Sequence, residues 1–305
     1  MRTVIVGLGI QGRKRVRIAS EDVVATVDPV MADARFKTVE QVPFGLYDAA
    51  LVCTPDESKL ALLSYLLSHG KHVLVEKPLL AEDPEGILQL QKTARSKGAI
   101  CYTAYNHRFE PHLVNLKALL DSGALGKLYL AKFFYGNGTA RDVRNSPWRD
   151  KGLGVLTDLG SHLLDLVLFL FGQSPRAFVP WKANRFENRA NDHVVFGASG
   201  EPFCECEMML LSWKNTFSVE VYGELGSAHV QGLCKWGPSH LIVRRRVFPS
   251  GKPGEDAQVI ESPDPTWKAE YEHFQKLCEN GETNLTNDIW IQSALNELER
   301  GLNGN

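Results

Sequence analysis

The first hundred residues alternate between short runs in which nearly every position is apolar and longer runs in which apolar positions recur every three or four residues. TVIVG (3–7), VVATV (23–27), ALVCT (50–54), HVLVE (72–76) and AICYTA (99–104) are of the first kind. A strand wet on one face alternates apolar with polar side chains; these do not, which predicts strands buried on both faces of a parallel sheet. Residues 83–98 show the second kind. Asp83 can cap a helix, Pro84 suits its first turn, Ile87, Leu88 and Leu90 supply an apolar face, and Gly98 ends it. Strand, helix, strand in repetition predicts a doubly wound α/β domain, assigned to residues 1–106.

From Glu110 onward the pattern changes. A helix over Pro111 to Leu120, stopped by Gly123, leads to a strand at 127–136, a polar loop, and a helix at about 156–171. Residues 178–262 read mostly as strands (HVVFGAS, CECEMMLLSW, FSVEVYG, HLIVRRRVF) joined by glycine-containing turns, which predicts largely antiparallel pairing. Helices near 266–280 and 286–300 close the chain. No repeat or long linker interrupts it, so residues 107–305 are expected to form one second domain sharing an extensive interface with the first.

Composition agrees with this picture: 305 residues, 44% apolar and 23% charged, describe a folded globular chain long enough for two domains. A net charge of -2 removes any global electrostatic argument for nucleic acid or anionic membrane as the main partner. The greasiest segment, HLLDLVLFLFG, is too short to span a bilayer and carries Asp165. MRTVIVG runs straight into a strand, which argues against a cleavable leader and for a cytoplasmic protein. Six scattered cysteines sit mostly in apolar runs, as buried reduced thiols do. Cys204 and Cys206 share a strand face, but without a second pair or nearby histidines no metal site is expected.

Gly7, Gly9 and Gly12 in VGLGIQG form G-x-G-x-x-G directly after a strand, with Ile10 and Gln11 opening the next helix. Such glycines permit a tight turn and let backbone amides approach a pyrophosphate at a helix N-terminus. Asp28 ends the next strand, nineteen residues after Gly9, near the spacing at which an acid meets the adenosine ribose. The combination predicts dinucleotide binding. Asp28 also reads as a turn residue before Pro29. An acid there favours NAD by repelling the 2′-phosphate of NADP. Arg13, Lys14, Arg15 and Arg17 on the following helix are either a solvated face or partners for that phosphate, so NADP stays open.

With VGLGIQG, CTPDES, GKHVLVEKPL, YNHRFEP and GLGVLTDLGSHLLDL in that order, the chain resembles the Gfo/Idh/MocA family of NAD(P)-dependent oxidoreductases over nearly its whole length. The most specific features are Glu76-Lys77-Pro78 and a D-x-G-x-H-x-x-D segment carrying Asp158, Gly160, His162 and Asp165. The resemblance implies an N-terminal Rossmann domain and a C-terminal α+β domain with a large open, mostly antiparallel sheet. It implies hydride transfer at a hydroxyl-bearing carbon of a sugar, polyol or sugar derivative, and a homodimer or homotetramer assembled through that sheet. It adds Thr54, Pro55, Glu76, Lys77 and Asn106 to the cofactor contacts, gives Tyr105 a place against the substrate ring, and leaves Arg108 to a structural ion pair. His107 and His193 are expected at the surface or an interface. Some relatives bind the cofactor only to regulate, and others are NAD-dependent glycosidases; both remain alternatives.

Three departures stand out. The stretch between Asp28 and Leu51 is short, which abbreviates the expected adenosine wall; Lys59 stands where many relatives have a histidine; and GLG, with Leu153 in the middle, replaces a triple glycine.

Oxidation of a carbinol needs a base for the hydroxyl proton and a donor to hold the oxygen. Asp158 and His162 are four residues apart, which on an α-helix places both on one face, and a carboxylate beside an imidazole raises its proton affinity. His162 is therefore the candidate proton carrier; without Asp158 it would read as a core histidine. Lys77 leaves a strand at its carboxyl end, where α/β ligands bind, and could donate to the substrate oxygen. From local sequence alone it reads as a surface lysine paired with Glu76, and the resemblance favours function. Lys77-Pro78 is a candidate cis bond. Asp165 is either a supporting acid or a partner of another helix. In NGTARDVRNSPWRDKG, residues Arg141, Arg144, Trp148, Arg149 and Lys151 could clamp a carboxylate, phosphate or nucleotide-sugar diphosphate, with Arg149 the chosen substrate contact, or form a solvated loop balanced by Asp142 and Asp150. The expected site brings Lys77 and His162 to one alcohol.

Overall fold

The computed structural model describes residues 1–146, 149–173 and 176–303. Its strands are β1 (Thr3–Val6), β2 (Val23–Val27), β3 (Ala49–Val52), β4 (His72–Glu76), β5 (Cys101–Ala104), β6 (Leu128–Gly136), β7 (Phe178–Asn184), β8 (His193–Ala198), β9 (Phe203–Met209), β10 (Thr216–Gly223), β11 (Gly226–Gln231), β12 (Ser239–Arg245) and β13 (Glu255–Ile260). Its helices are α1 (Ile10–Ala19), α2 (Asp56–Ser68), α3 (Pro84–Ser96), α4 (Pro111–Asp121), α5 (Ala140–Arg144), α6 (Ser161–Phe171), α7 (Thr266–Asn280) and α8 (Thr286–Asn303). Two compact units result, Met1–Asn106 with Trp267–Gln292, and His107–Thr266 with Ser293–Asn305.

In the first unit β1 to β5 pair in parallel, in the order β2-β1-β3-β4-β5. All five strands coincide with the apolar runs, β3 starting one residue earlier at Ala49, and the reason for their unbroken hydrophobicity is visible. Val4, Val6, Ala50, Val52, Val73 and Val75 pack on one side with Leu63, Leu66 and Leu67 of α2 and Ile87, Leu90 and Ala94 of α3. Ile5, Ala49, Leu51 and Leu74 point the other way, onto Ala19 of α1 and onto Tyr271 and Phe274 of α7. The N-terminal residues thus supply two helices to one face but only α1 to the other. Residues 267–292, which a single cut at 106 would assign to the second domain, belong to this unit: Tyr271 and Phe274 of α7 complete that cover, while Leu285 and Ile289 join the side of α2 and α3. Asp83 caps α3 as its sequence suggests, accepting from the Glu85 N–H at 3.0 Å.

The short stretch after Asp28 holds no crossover helix. It makes two 3₁₀ turns, Val39–Gln41 and Phe44–Leu46, and one isolated parallel bridge, from Val27 at the end of β2 to Phe36. A parallel crossover needs a dozen or more residues with a helix, and this segment is too brief to add a further strand as well.

In the second unit eight strands form one sheet in the order β13-β12-β11-β10-β6-β9-β8-β7. Only β6 and β9 are parallel; the other pairs are antiparallel. Phe133, Cys206, Met208, Val219 and Val221 line the buried face, whereas Lys132, Glu205, Glu207 and Glu220 alternate with them toward the open one. The six cysteines are free, and Cys204 and Cys206 are buried hydrophobes on the covered face. Among the described residues no helix is long and apolar enough to cross a membrane.

Candidate functional site

In the first unit the candidate residues gather at the carboxyl ends of the parallel strands, and β1 and β3 flank the point where the strand order reverses. Gly7 follows β1 with φ +92°, and a Cβ there would stand 2.6 Å from the Cys53 carbonyl oxygen. A Cβ on Gly12 would meet the Gly7 oxygen at 1.8 Å. Both positions require glycine for close backbone passage. Gly9 differs: nothing lies within 4 Å of where its Cβ would be. The first turn of α1 has no side-chain cap and no acid, and Ile10 and Gln11 are exposed there. Thr54, between β3 and α2, holds a buried hydroxyl with no hydrogen-bond partner. An open glycine, an uncapped helix end and a waiting hydroxyl fit a dinucleotide pyrophosphate. Pro55 is exposed beside them, and Tyr105 and Asn106 are buried just beyond β5.

Asp28 serves the turn. Its carboxylate accepts from the Leu8 N–H at 2.7 Å and from Val30 and Met31, each at 2.9 Å, so it clamps the glycine loop and shapes the bend after β2. Burial pushes its pKa up, but those three N–H donors outweigh burial and hold the carboxyl below its ordinary value. The folded protein therefore binds this proton more weakly than the unfolded chain does. The resulting stabilisation is complete above the unfolded pKa near 4 and is lost as pH falls through the lower folded value. In urea unfolding, Asp28→Asn is expected to flatten the acid limb of stability between about pH 5 and pH 2; an equally steep limb in both proteins would assign it to other carboxylates.

The basic run on α1 resolves into separate tasks. Arg13 pairs with Asp33 at the surface, and Lys14 lies over the Trp267 ring. Arg15 is neither solvated nor available to a phosphate. It is 1% exposed and donates to Glu76 and to Glu270, both at 2.7 Å. The Glu76 carboxylate, assigned from sequence to the cofactor, accepts from this buried guanidinium.

Lys59 is the residue whose task the sequence did not reveal. Only 2% exposed, its ammonium donates to the carbonyl oxygens of Glu76 at 2.6 Å and Pro78 at 2.9 Å, and pairs with Asp56 at 2.6 Å. The carbonyls on either side of Lys77 are thus held by one cation, and the Lys77-Pro78 bond between them is cis, as anticipated. Burial lowers the Lys59 pKa, opposed by Asp56. Lys59→Met is expected to cost about 1.5–3 kcal/mol in urea unfolding, the range for hydrogen bonds to a charged group. A loss under about 0.5 kcal/mol would mean that water replaces the ammonium.

In the second unit Leu156–Gly160 winds as a π-turn and the α-helix begins only at Ser161. The even α-helical ladder assumed for the Asp158–His162 spacing is therefore not what positions them; π-turns of this kind recur at functional sites. Arg149 reaches Asp158 at 3.4 Å, while Trp148 lies outside the described residues. Arg144 donates to the Glu187 carbonyl. Asp150 is buried and accepts from the Arg189 and Ala190 N–H groups, so it shapes backbone and does not balance the arginines. Gly154, at φ +57°, passes so near Asn191 that a Cβ would stand 2.3 Å from its carbonyl oxygen; Leu153 before it escapes that demand.

His162 is 7% exposed, and its ring stacks at 4.0 Å on His107. His107, expected at the surface or an interface, is 1% exposed because the turn Asn106–Phe109 directs it inward. Nothing local in YNHRFEP signals this. Arg108 grips Asp165 with three contacts of 2.6–2.9 Å, the expected ion pair, which gives Asp165 a structural partner. His193 bridges Asn184 and Glu207 on the sheet.

Among curated proteins, the trans-1,2-dihydrobenzene-1,2-diol dehydrogenase of Oryctolagus cuniculus is 30% identical over 210 residues, 66% of this chain and 61% of that protein. The scyllo-inositol 2-dehydrogenase (NADP(+)) of Bacillus subtilis is 31% identical over 151 residues, 48% of this chain and 40% of that protein. The chain thus spans less than two thirds of either relative. An inositol dehydrogenase homolog from Azotobacter vinelandii, solved with NADH and myo-inositol, superposes with a TM-score of 0.81 at 16% identity, covering 100% of this chain and 96% of that one. A family model described as an oxidoreductase family with an NAD-binding Rossmann fold matches residues 1–105, and a GFO/IDH/MocA C-terminal domain model matches residues 113–229. With both halves matched, the chain belongs to the Gfo/Idh/MocA oxidoreductase family and carries its NAD-binding Rossmann domain.

Proposed function

We propose that this chain is an NAD(P)-dependent dehydrogenase acting at a hydroxyl-bearing carbon of a sugar, polyol or sugar derivative, nucleotide sugars included. The observation that carries the reading is the placement of Lys77 on the same strand-end edge as the open glycine turn, in a backbone segment fixed on both sides by Lys59. Relatives named for a diol and an inositol point to the same substrate class. Gly7, Gly9, Ile10, Gln11, Gly12, Thr54, Pro55 and Asn106 hold the cofactor. NAD is preferred, because an ionised Asp28 at the end of β2 repels a 2′-phosphate and Arg13 is already paired with Asp33; NADP is the alternative.

Bound nicotinamide supplies the hydride acceptor. His162 takes the hydroxyl proton as the carbon becomes a carbonyl, with Asp158 supporting the charged imidazole. Lys77 donates to the oxygen, Tyr105 packs against the substrate, and Arg149 beside Asp158 binds a polar or anionic substituent. A homodimer or homotetramer forms through the open sheet face, where Leu130 and the stacked Trp181 and Phe203 are incompletely covered; a monomer by light scattering would overturn this.

The test is a panel of myo-inositol, scyllo-inositol, a trans-dihydrodiol, hexoses and UDP-sugars, each offered with NAD and with NADP. Reduced cofactor should accumulate with at least one polyol or sugar. Release of a leaving group without net reduction would replace the dehydrogenase by a glycosidase. Tight cofactor binding with no turnover on any compound would replace it by a regulator.

A further inference from the structure

Behind His162 lies a group of side chains to which the proposed chemistry assigns no task. Lys235, in the 3₁₀ turn Cys234–Trp236 between β11 and β12, places its ammonium 3.2 Å from His107 Nε2 and 3.4 Å from the Tyr135 hydroxyl. The same nitrogen lies 4.4 Å from the centroid of the Trp236 ring. His107 in turn stacks on His162, with ring centroids 4.0 Å apart and planes 18° from parallel. Tyr135 and Phe217 close the sides, at 5.3 and 5.8 Å from the His107 ring.

The chemistry of these atoms restricts where protons can sit. A lysine ammonium has hydrogens to give and no lone pair, so His107 Nε2 must accept, and the His107 proton sits on Nδ1. Charging His107 would require a second proton on Nε2, pointed at an ammonium about one hydrogen-bond length away. Two stacked imidazoles tolerate one positive charge far better than two. We propose that Lys235 is a positioning residue that acts through His107: it fixes the neutral Nδ1–H form of His107, which leaves His162 as the one member of the stacked pair that takes up and gives back a proton.

Other charges around the group bear on the same balance. Asp158, paired with Arg149, lies toward Tyr135, whose hydroxyl is pushed up by burial and then by that carboxylate. Glu110, only 1% exposed, accepts from the Cys234 N–H at 3.2 Å and also faces Lys235 and Asp264; burial pushes its carboxyl up against the pull of the Cys234 contact. These groups set the absolute position of the His162 titration. Lys235 sets which of the two rings titrates.

The inference rests on His162 as the proposed proton carrier, yet its test needs no substrate. Nitrogen-15 histidine spectra of the full-length protein, followed from pH 5.5 to 8.5, are assigned with His107→Phe and His162→Gln. His107 should keep the Nδ1–H pattern throughout while His162 titrates. In Lys235→Met, His107 should begin to titrate and the His162 midpoint should rise by roughly half a pH unit or more, as expected on removing a nearby cation. Lys235→Arg keeps the charge and should leave both rings nearly as they were. Titration of His107 in the unaltered protein overturns the proposal even if Lys235→Met fails to fold, and so does an unchanged pair of curves in that variant. If the curves behave as stated but His162→Gln turns over the panel substrate normally, the proton-carrier reading fails and the assignment of tautomers stands.

Discussion

Lys77→Ala and His162→Gln are each expected to lower turnover by roughly a hundredfold or more while the affinity for NAD, read by fluorescence titration of the reduced cofactor, stays nearly unchanged. General acid–base groups contribute about this much when the rest of a site is intact. The two substitutions are chosen for small structural cost. Lys77 is half-buried, and the turn that presents it is held by Lys59, whose contacts are to backbone oxygens and survive truncation of the Lys77 side chain. Gln at 162 retains a flat polar group against His107. If both residues act on one alcohol, the double variant should be no slower than about the worse single one, because groups that work together are strongly non-additive. Near-full activity in either single variant would remove that residue from the mechanism.

Arg15→Met is expected to cause the largest loss of stability, about 3–5 kcal/mol, the range found when one partner of a buried ion pair is removed. The guanidinium joins three elements distant in sequence: it leaves α1, meets Glu76 at the end of β4, and meets Glu270 of α7, which is 0% exposed. It also stacks its charge 4.2 Å over Trp267. Met preserves much of the volume and the stacking stem but takes the shared guanidinium away from both carboxylates. Breaking such a pair costs more than the pair itself contributes, because the abandoned charge cannot regain water. Combining Arg15→Met with Glu270→Gln should therefore recover part of the loss. Additive losses in thermal or urea unfolding would show that the two groups contribute independently.

Much of the fold is legible in the chain because it is decided locally. The strand runs lack polar alternation, and each became a strand of a sheet covered on both faces. Asp83, Pro84 and Gly98 mark their helix by rules that reach only a few residues. The glycine turn is equally local, since Gly7 and Gly12 are demanded by backbone passage within one loop. The less accurate expectations all involve partners far away in sequence. Arg13, Lys14, Arg15 and Arg17 look alike along the chain, and the arrival of Glu76 from β4 and Glu270 from α7 separates Arg15 from its neighbours. Spacing suggested an α-helical Asp158–His162 pair, whereas the packing of Gly160 against Leu156 and Met208 accompanies a π-turn there.

By itself the sequence determined the types of most elements, though not α5 or the π-turn before α6, the parallel and antiparallel character of the two sheets, the glycine turn and its family, because hydrophobic period, caps and turn chemistry act over a few residues. Tertiary structure alone decided that α7 completes the cover of the first sheet, that Lys59 grips the carbonyls flanking Lys77, and that His107 is buried against His162 with Lys235 at its Nε2. Burial and proton affinity depend on what other segments bring to a side chain, and that information is distributed over the whole chain rather than written beside the residue it governs.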